Sequence, residues 1–251
     1  MLDNTKKRNI EVVFTPSLFQ FRQIKENYIV VIVDILRATT SICTAFHWGV
    51  KSIIPVKTIE QARDYKDRGF LVAGERLEET FEFADLGNSA LEFMTPKIKD
   101  QEIVHSTTNG TVAITVAKEG TPNEILIGAF SNITSLRDYL LTKQENILLL
   151  CSGWKNCFCI EDTVFCGALI EKLIEKGDFT IHNDSANCSL ELWNAAKDNL
   201  IGYMEKASHF HRLRKYKMDD VFEYTFTYDT TKVVPKLFDN KLKDTLKEEN
   251  N

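Results

Sequence analysis

The stretch Tyr28-Ile29-Val30-Val31-Ile32-Val33-Asp34-Ile35-Leu36-Arg37-Ala38-Thr39-Thr40 decides how this chain folds. An uncharged run, Tyr28 to Val33, ends in Val and Ile only and stops abruptly at an acid. A β-branched run of that kind fits a strand buried on both faces, as in a parallel sheet. Ser41 to Trp48 then carries a helical pattern. Asp34, Arg37 and Thr39 are therefore expected at the strand's carboxyl end, where open α/β sheets hold their ligands. Together they offer a carboxylate for a hard cation, a guanidinium fork for phosphate or carboxylate, and hydroxyl groups. An Asp–Arg pair that merely caps a helix is the plainer alternative.

Downstream the alternation is regular. Gly49 is a natural left-handed stop for the first helix. Ser52 to Val56 reads as a strand, and Thr58-Ile59-Glu60-Gln61 is a capping-box signature for a helix ending at Gly69. Further strands are expected at Phe70–Ala73, Glu102–Ser106, Glu124–Ile127, Asn146–Cys151 and Phe179–His182. Helices are expected from Val112 to Lys118, around Leu136 to Leu141, and from Glu161 to Lys176. Strands alternating with helices imply right-handed crossovers, so the fold class is layered α/β, with a mainly parallel sheet, flanking helices and an active site at the strands' carboxyl ends. Beyond Ser185 a helix is expected over Leu190 to Lys206, broken only by Gly202, and an antiparallel strand over Val221 to Tyr228. Residues 1–240 are expected to form a single α/β domain, with room for two intimately packed lobes. Residues 241–251 read as a charged, disordered tail.

Composition narrows the function. The chain has 251 residues, is 43% hydrophobic and carries a net charge of −5, so no basic excess points to nucleic acid. No apolar run approaches the roughly 18–20 residues needed to cross a bilayer. The start, Met1 to Arg8, lacks the apolar core of a signal peptide, so a cytoplasmic location is expected. Six cysteines in so long a chain do not suggest a disulfide framework. Cys151, Cys157, Cys159 and Cys166 cluster without a zinc-binding spacing, and Cys151 and Cys166 read as small core residues. His209 and His211 read as surface residues.

Three loops carry candidate chemistry. Thr107-Thr108-Asn109-Gly110-Thr111 combines hydroxyls, an amide and a glycine just before a helix, a natural anion site. No lysine follows the glycine, so it is not a Walker loop. A tight turn with a threonine cap is the alternative. Glu161 and Asp162 open a long helix, either as ordinary first-turn acids or, with Asp34, as ligands of a hard divalent cation such as magnesium. Arg76, after a strand and Glu75, joins Arg37 as a second fork able to grip a second anionic group. Two other phosphatase chemistries fail on the letters. Leu36 stands two positions after Asp34 where an aspartyl-nucleophile enzyme needs a second Asp, and Cys157 stands six after Cys151 where a cysteine phosphatase needs Arg.

The ordered set of Val33-Asp34-Ile35-Leu36-Arg37-Ala38-Thr39-Thr40, Gly74-Glu75-Arg76, Leu86-Gly87-Asn88-Ser89, Thr107-Thr108-Asn109-Gly110-Thr111 and Glu161-Asp162 with Gly167 resembles the 2-phosphosulfolactate phosphatase family. Ser208, Leu213, Asp219-Asp220 and Val233-Val234-Pro235 extend the resemblance. It implies an α/β enzyme that uses Mg2+ to hydrolyse 2-phospho-3-sulfolactate to 3-sulfolactate and phosphate, a step in coenzyme M synthesis. On the reading of the loops above, Asp34 and Arg37 are the expected catalytic residues, and Asp34, Glu161 and Asp162 the expected metal ligands. Arg76, Asn88, Ser89, Thr107, Thr108, Asn109, Gly110 and Thr111 are then the phosphate- and substrate-binding residues. The expected partner is a small anionic phosphorylated substrate, without nucleic acid or membrane, and a homodimer is compatible. The chain departs from the family pattern between Arg76 and Leu86, at Ala90, and in the bulky, cysteine-rich loop Ser152 to Cys159. A phosphatase for another small phosphorylated carboxylic acid, or a non-catalytic anion-binding relative, are the alternatives.

Overall fold

A computed structural model of the chain describes residues 7–74, 82–107, 109–176 and 179–248. Its strands are β1 (Arg8–Val13), β2 (Tyr28–Val33), β3 (Ser52–Val56), β4 (Leu71–Gly74), β5 (Glu102–Ser106), β6 (Glu124–Gly128), β7 (Asn146–Cys151), β8 (Phe179–Ile181), β9 (Pro235–Phe238) and β10 (Lys241–Asp244). The helices are α1 (Ala38–His47), α2 (Ile59–Asp67), α3 (Gly110–Glu119), α4 (Ile133–Leu141), α5 (Ile160–Ile174), α6 (Asp184–Ala196), α7 (Leu200–Met204), α8 (Ser208–Lys215), α9 (Phe222–Thr225) and α10 (Thr245–Glu248).

The strands of the described residues all join one ten-stranded sheet in the order β4-β5-β3-β10-β9-β6-β2-β7-β1-β8. β2 is buried along its whole length and lies parallel between β6 and β7, as its unbroken apolar run requires. Val33 is in register with Cys151 and with Gly128, and Ser152 N–H donates to Val33 O at 2.7 Å. The loops after β2 and β7 therefore leave the sheet side by side. A second parallel group, β4-β5-β3, is in register through Val56 and Ser106.

The hairpin β9–β10 sits between these groups and is antiparallel to both neighbours. Three successive reversals leave β3 and β6 pointing in opposite senses, so the sheet is mixed although mostly parallel. In a flat sheet the carboxyl ends of β2 and β5 would lie on opposite edges. The sheet instead curls, so that Ile32, Ile127, Ile53, His105 and Leu242, from five different strands, line one small cavity with α1 and α3.

α1 is enclosed by this curl, and nine consecutive residues, Ala38 to Phe46, are buried. A helix buried all round must satisfy its hydroxyls internally. Thr39 Oγ1 donates to Asp34 O, Thr40 Oγ1 to Ile35 O and Thr44 Oγ1 to Thr40 O. Ser41 Oγ donates to Asn88 O at 2.9 Å and so ties the Leu86–Ser89 segment to α1. The capping box at Thr58 and the left-handed glycines 49 and 69 form as the sequence requires.

Three expectations need correction. Lys241–Asp244 is not a tail but a strand paired with β9 and β3, and Leu242 is wholly buried. Val221–Tyr228 is not a strand: Phe222 and Phe226 bury from a short helical turn. The helix expected from Leu190 begins earlier, at Asp184 with Asn183 as its cap, and ends at Ala196, with α7 as a separate turn.

Candidate active site

Asp34 leaves β2 at the mouth of the curl and is 8% exposed. Its backbone N–H donates to Thr39 Oγ1, and its Oδ1 accepts the Ala38 N–H at 3.3 Å. The head of α1 thus fixes the carboxylate. Arg37 is buried in the same turn, after a cis Leu36–Arg37 peptide.

The β7–α5 connection wraps the same point. Asp162 Oδ1 accepts the Ile35 N–H at 2.9 Å, and Oδ2 accepts the Gly153 N–H at 3.1 Å. One buried carboxylate thereby clamps the loop after β2 to the loop after β7. Burial pushes its proton affinity well above the usual carboxylate range, and the charges of Glu161 and then Asp34 add to the effect. Glu161 is 1% exposed. Its Oε1 faces His209 Nδ1 at 2.9 Å, while Oε2 is buried with no hydrogen-bond partner among the described residues.

From the other half of the sheet, the loop after β5 arrives against Asp34. A Cβ added to Gly110 would lie 3.2 Å from Asp34 Oδ2 and 3.1 Å from both Thr107 Oγ1 and Ala38 Cβ, so only glycine permits this approach without displacement. Asn109 does not cap α3 with its side chain; its Oδ1 accepts the Lys155 N–H instead. Thr111 Oγ1 donates to Thr107 O. Among the described residues no side chain caps the first turn of α3, whose amides resemble those of anion-binding helix starts. Three strand-end loops, from both halves of the sheet, meet at one place.

A family model for 2-phosphosulpholactate phosphatase matches residues 13–240. The chain belongs to this family. It is 34% identical over 220 residues to a probable 2-phosphosulfolactate phosphatase of Caldanaerobacter subterraneus subsp. tengcongensis, covering 86% of this chain and 90% of that protein. A probable 2-phosphosulfolactate phosphatase of Thermotoga maritima is 35% identical over 207 residues, covering 82% and 88%. One from Clostridium beijerinckii is 28% identical over 229 residues, covering 86% and 91%.

Of the family blocks named from the sequence, those of Asp34, Gly110 and Asp162 meet here and the Asn88 segment is tied to α1 and β5, whereas Gly167 packs α5 against α6. Asn88 Oδ1 lies 3.0 Å from His105 Nε2 on β5, and Ser89 Oγ is buried without a hydrogen-bond partner among the described residues. Burial alone lowers the His105 pKa to about 4, so the ring is neutral and donates to Asn88. Arg76 and Thr108 lie outside the described residues. The loop Ser152–Cys159 turns tightly, with Trp154 and Cys157 exchanging backbone hydrogen bonds and Gly153 at φ +59°. A Cβ on Gly153 would come within 2.4 Å of Cys157 O.

Cys151 and Cys166 are buried free thiols 3.5 Å apart, core residues as expected. The sequence reading misplaced His209. His211 is exposed, but the His209 side chain is only 9% exposed and packs against Glu161. Nothing local signals this, because the partner is 48 residues away. Among the described residues, the His/Cys/acid grouping whose ligand atoms all fall within 4.8 Å of one another is Cys159, Glu161 and His209, not the three carboxylates. Burial raises the Cys159 thiol strongly, and the charges of Asp162, Glu161 and Asp34 raise it further. Beside these uncompensated carboxylates it is therefore a protonated thiol.

Proposed function

We propose that this protein is a magnesium-dependent phosphatase that hydrolyses 2-phospho-3-sulfolactate to 3-sulfolactate and phosphate in the cytoplasm, a step of coenzyme M synthesis. The observation that carries this is the meeting of Asp34 with the start of α3 across Gly110, beside the buried Glu161 and Asp162. Family membership supplies the reaction class and, through the relatives' names, the substrate.

The donor set fits a hard divalent cation. Its donors are carboxylate oxygens, with Glu161 and Asp34 close enough to Asp162 for their charges to raise its proton affinity, and Glu161 Oε2 is a buried oxygen without a partner among the described residues. Asp34 and Glu161 would hold the ion; the oxygens of Asp162 each hold a backbone amide, which suits it to fixing the two loops. When bound, the ion neutralises phosphate charge and polarises the phosphoryl group.

The chain's own residues do the rest. Amides of Gly110 and Thr111 and the Thr107 hydroxyl hold the phosphate, with the α3 dipole favouring its charge. Arg37 offsets charge developing on the phosphoryl oxygens, and Arg76 grips the sulfonate or carboxylate. Water is the nucleophile in this proposal. Such electrostatic positioning has much to supply, since uncatalysed phosphate-monoester hydrolysis can demand accelerations of up to ~10²¹.

The test is phosphate release from 2-phospho-3-sulfolactate, phosphoglycolate, phosphoglycerate and phospholactate, with and without EDTA, by wild type and Asp34→Asn. The expected result is preference for the sulfonate, loss of activity with EDTA, and at least a ~10³-fold loss in the variant, the upper range for one strong electrostatic contact. Release unaffected by EDTA would remove the metal, near-normal Asp34→Asn activity would remove Asp34, and preference for another acid would reassign the substrate.

A further inference from the structure

α8 reaches into the site through two side chains. His209 Nδ1 stands 2.9 Å from Glu161 Oε1, with side-chain exposures of 9% and 2%. On the far side of the ring, His209 Nε2 is in hydrogen-bond contact with the Arg212 guanidinium. A guanidinium only donates, so Nε2 is the acceptor and the ring proton sits on Nδ1. Nδ1–H therefore donates to Glu161 Oε1.

This tautomer bears on the close grouping of Cys159, Glu161 and His209. On distance alone that trio would suit a transition metal. The nitrogen facing Glu161 carries a proton, however, and the other is held against a cation. The ring is a donor here, not a ligand.

We propose that His209, backed by Arg212, is a positioning residue for the metal carboxylate. It occupies Glu161 Oε1 so that Oε2, without a hydrogen-bond partner among the described residues, is presented to the divalent ion. The inference rests on the proposed function, since it takes Glu161 as a metal ligand. Arg212 is itself braced, its guanidinium lying 4.1 Å over the Trp154 ring. Trp154 belongs to the loop whose Gly153 amide holds Asp162 and whose Lys155 amide holds Asn109. The relay thus connects α8 to the metal carboxylate and to the loop bordering the phosphate site. Outer hydrogen bonds of this kind fix a ligand's orientation and basicity.

The docking of α8 does not depend on His209. Phe210 and Leu213 are buried beneath the helix, and Phe210 stacks on Phe222 with centroids 3.9 Å apart. Variants at His209 are therefore expected to fold.

The test measures Mn2+ affinity of the purified full chain from the free-ion electron paramagnetic resonance signal, without substrate or turnover. His209→Leu is expected to bind Mn2+ roughly 10–100-fold more weakly than wild type, the range for lost outer-shell partners. His209→Asn places an amide N–H near the Nδ1 position and is expected to restore affinity to within about 3-fold. Wild-type affinity in His209→Leu, or an Asn variant as weak as the Leu variant, overturns the inference. Should His209→Leu not fold, Arg212→Met carries the test, with at least about a 3-fold loss expected and unchanged affinity contradicting it. Glu161→Gln separates the layers. If it binds Mn2+ like wild type, the metal reading falls and this inference with it; if it loses binding while His209→Leu does not, this inference alone falls.

Discussion

Gly110→Ala probes the close approach on which the site depends. The new methyl would meet Ala38 Cβ and Thr107 Oγ1 at 3.1 Å and Asp34 Oδ2 at 3.2 Å, each short of an ordinary contact. Gly110 has no positive φ, so the backbone accepts alanine and the effect is confined to packing. Overpacking of this kind costs about 1–3 kcal/mol, and replacing glycine returns about 0.4–1 kcal/mol through the unfolded chain. The net loss is then roughly 0–3 kcal/mol, or up to ~10 °C in Tm for a chain of this size. Activity is hit harder, because the displaced atoms are the Asp34 carboxylate and the Thr107 hydroxyl. The neighbours must give by only a few tenths of an ångström, and a full ångström can cost ~10²-fold, so kcat/KM should fall roughly 10-fold while the protein stays folded at 25 °C. Phosphate release and a thermal melt on the same sample are the assay. A folded Gly110→Ala protein within threefold of wild type would refute the claim that Asp34 and the α3 start act on one group.

Other consequences follow from the packing and the titrating groups. In Gly167→Ala the methyl would lie 2.0 Å from Ser189 O and 2.6 Å from Trp193 Cβ, so α5 and α6 must part. The loss should reach the top of the ~1–3 kcal/mol overpacking range or exceed it, and an unmoved urea midpoint would contradict this. His105 is held neutral to about pH 4, against an unfolded value near 6.5. Below pH 6.5 the unfolded chain takes up a proton that the folded one refuses, so stability drops by about 2 kcal/mol between pH 7 and pH 5. Urea titrations at both pH values should show that drop flattened in His105→Gln, and an equal drop in both proteins would count against it. Carboxylates held low by lysine partners, such as Glu102 and Glu171, contribute their own loss mainly at lower pH. Cys159→Ser should leave magnesium-dependent hydrolysis within about threefold, since a hard cation takes oxygen ligands rather than a thiol; a far larger loss would reopen a thiolate role.

The legible parts of the fold are those fixed by local chemistry. The Val/Ile run of β2, the Thr58–Gln61 box and the stops at Gly49 and Gly69 depend on near neighbours, and each formed as read. β1 is harder to see, because Glu11 interrupts it. That acid is buried in the fold only because it accepts amides from Gln23 and Ile24, beyond the strand. The aromatic alternation of 221–228 imitates a strand, yet Phe226 meets Phe130 at 5.8 Å from the end of a helical turn. The lysine-rich 235–244 hairpin looks solvated letter by letter. Its place between two parallel groups is decided by tertiary pairing, and with it the curl that brings β5 to β2. At the site, Asp34, Gly110, Glu161 and Asp162 stand out in sequence because each borders a strand or opens a helix. His209 and Arg212 do not, since their significance arises only when α8 docks on the start of α5.

Crystals soaked with Mn2+ and inorganic phosphate, read by anomalous scattering, test the central claim most directly. The account predicts one manganese site bound by Asp34 and Glu161 oxygens, with phosphate lying on the first-turn amides of α3. Manganese bound away from Asp34, or phosphate bound away from Gly110 and Thr111, would contradict it.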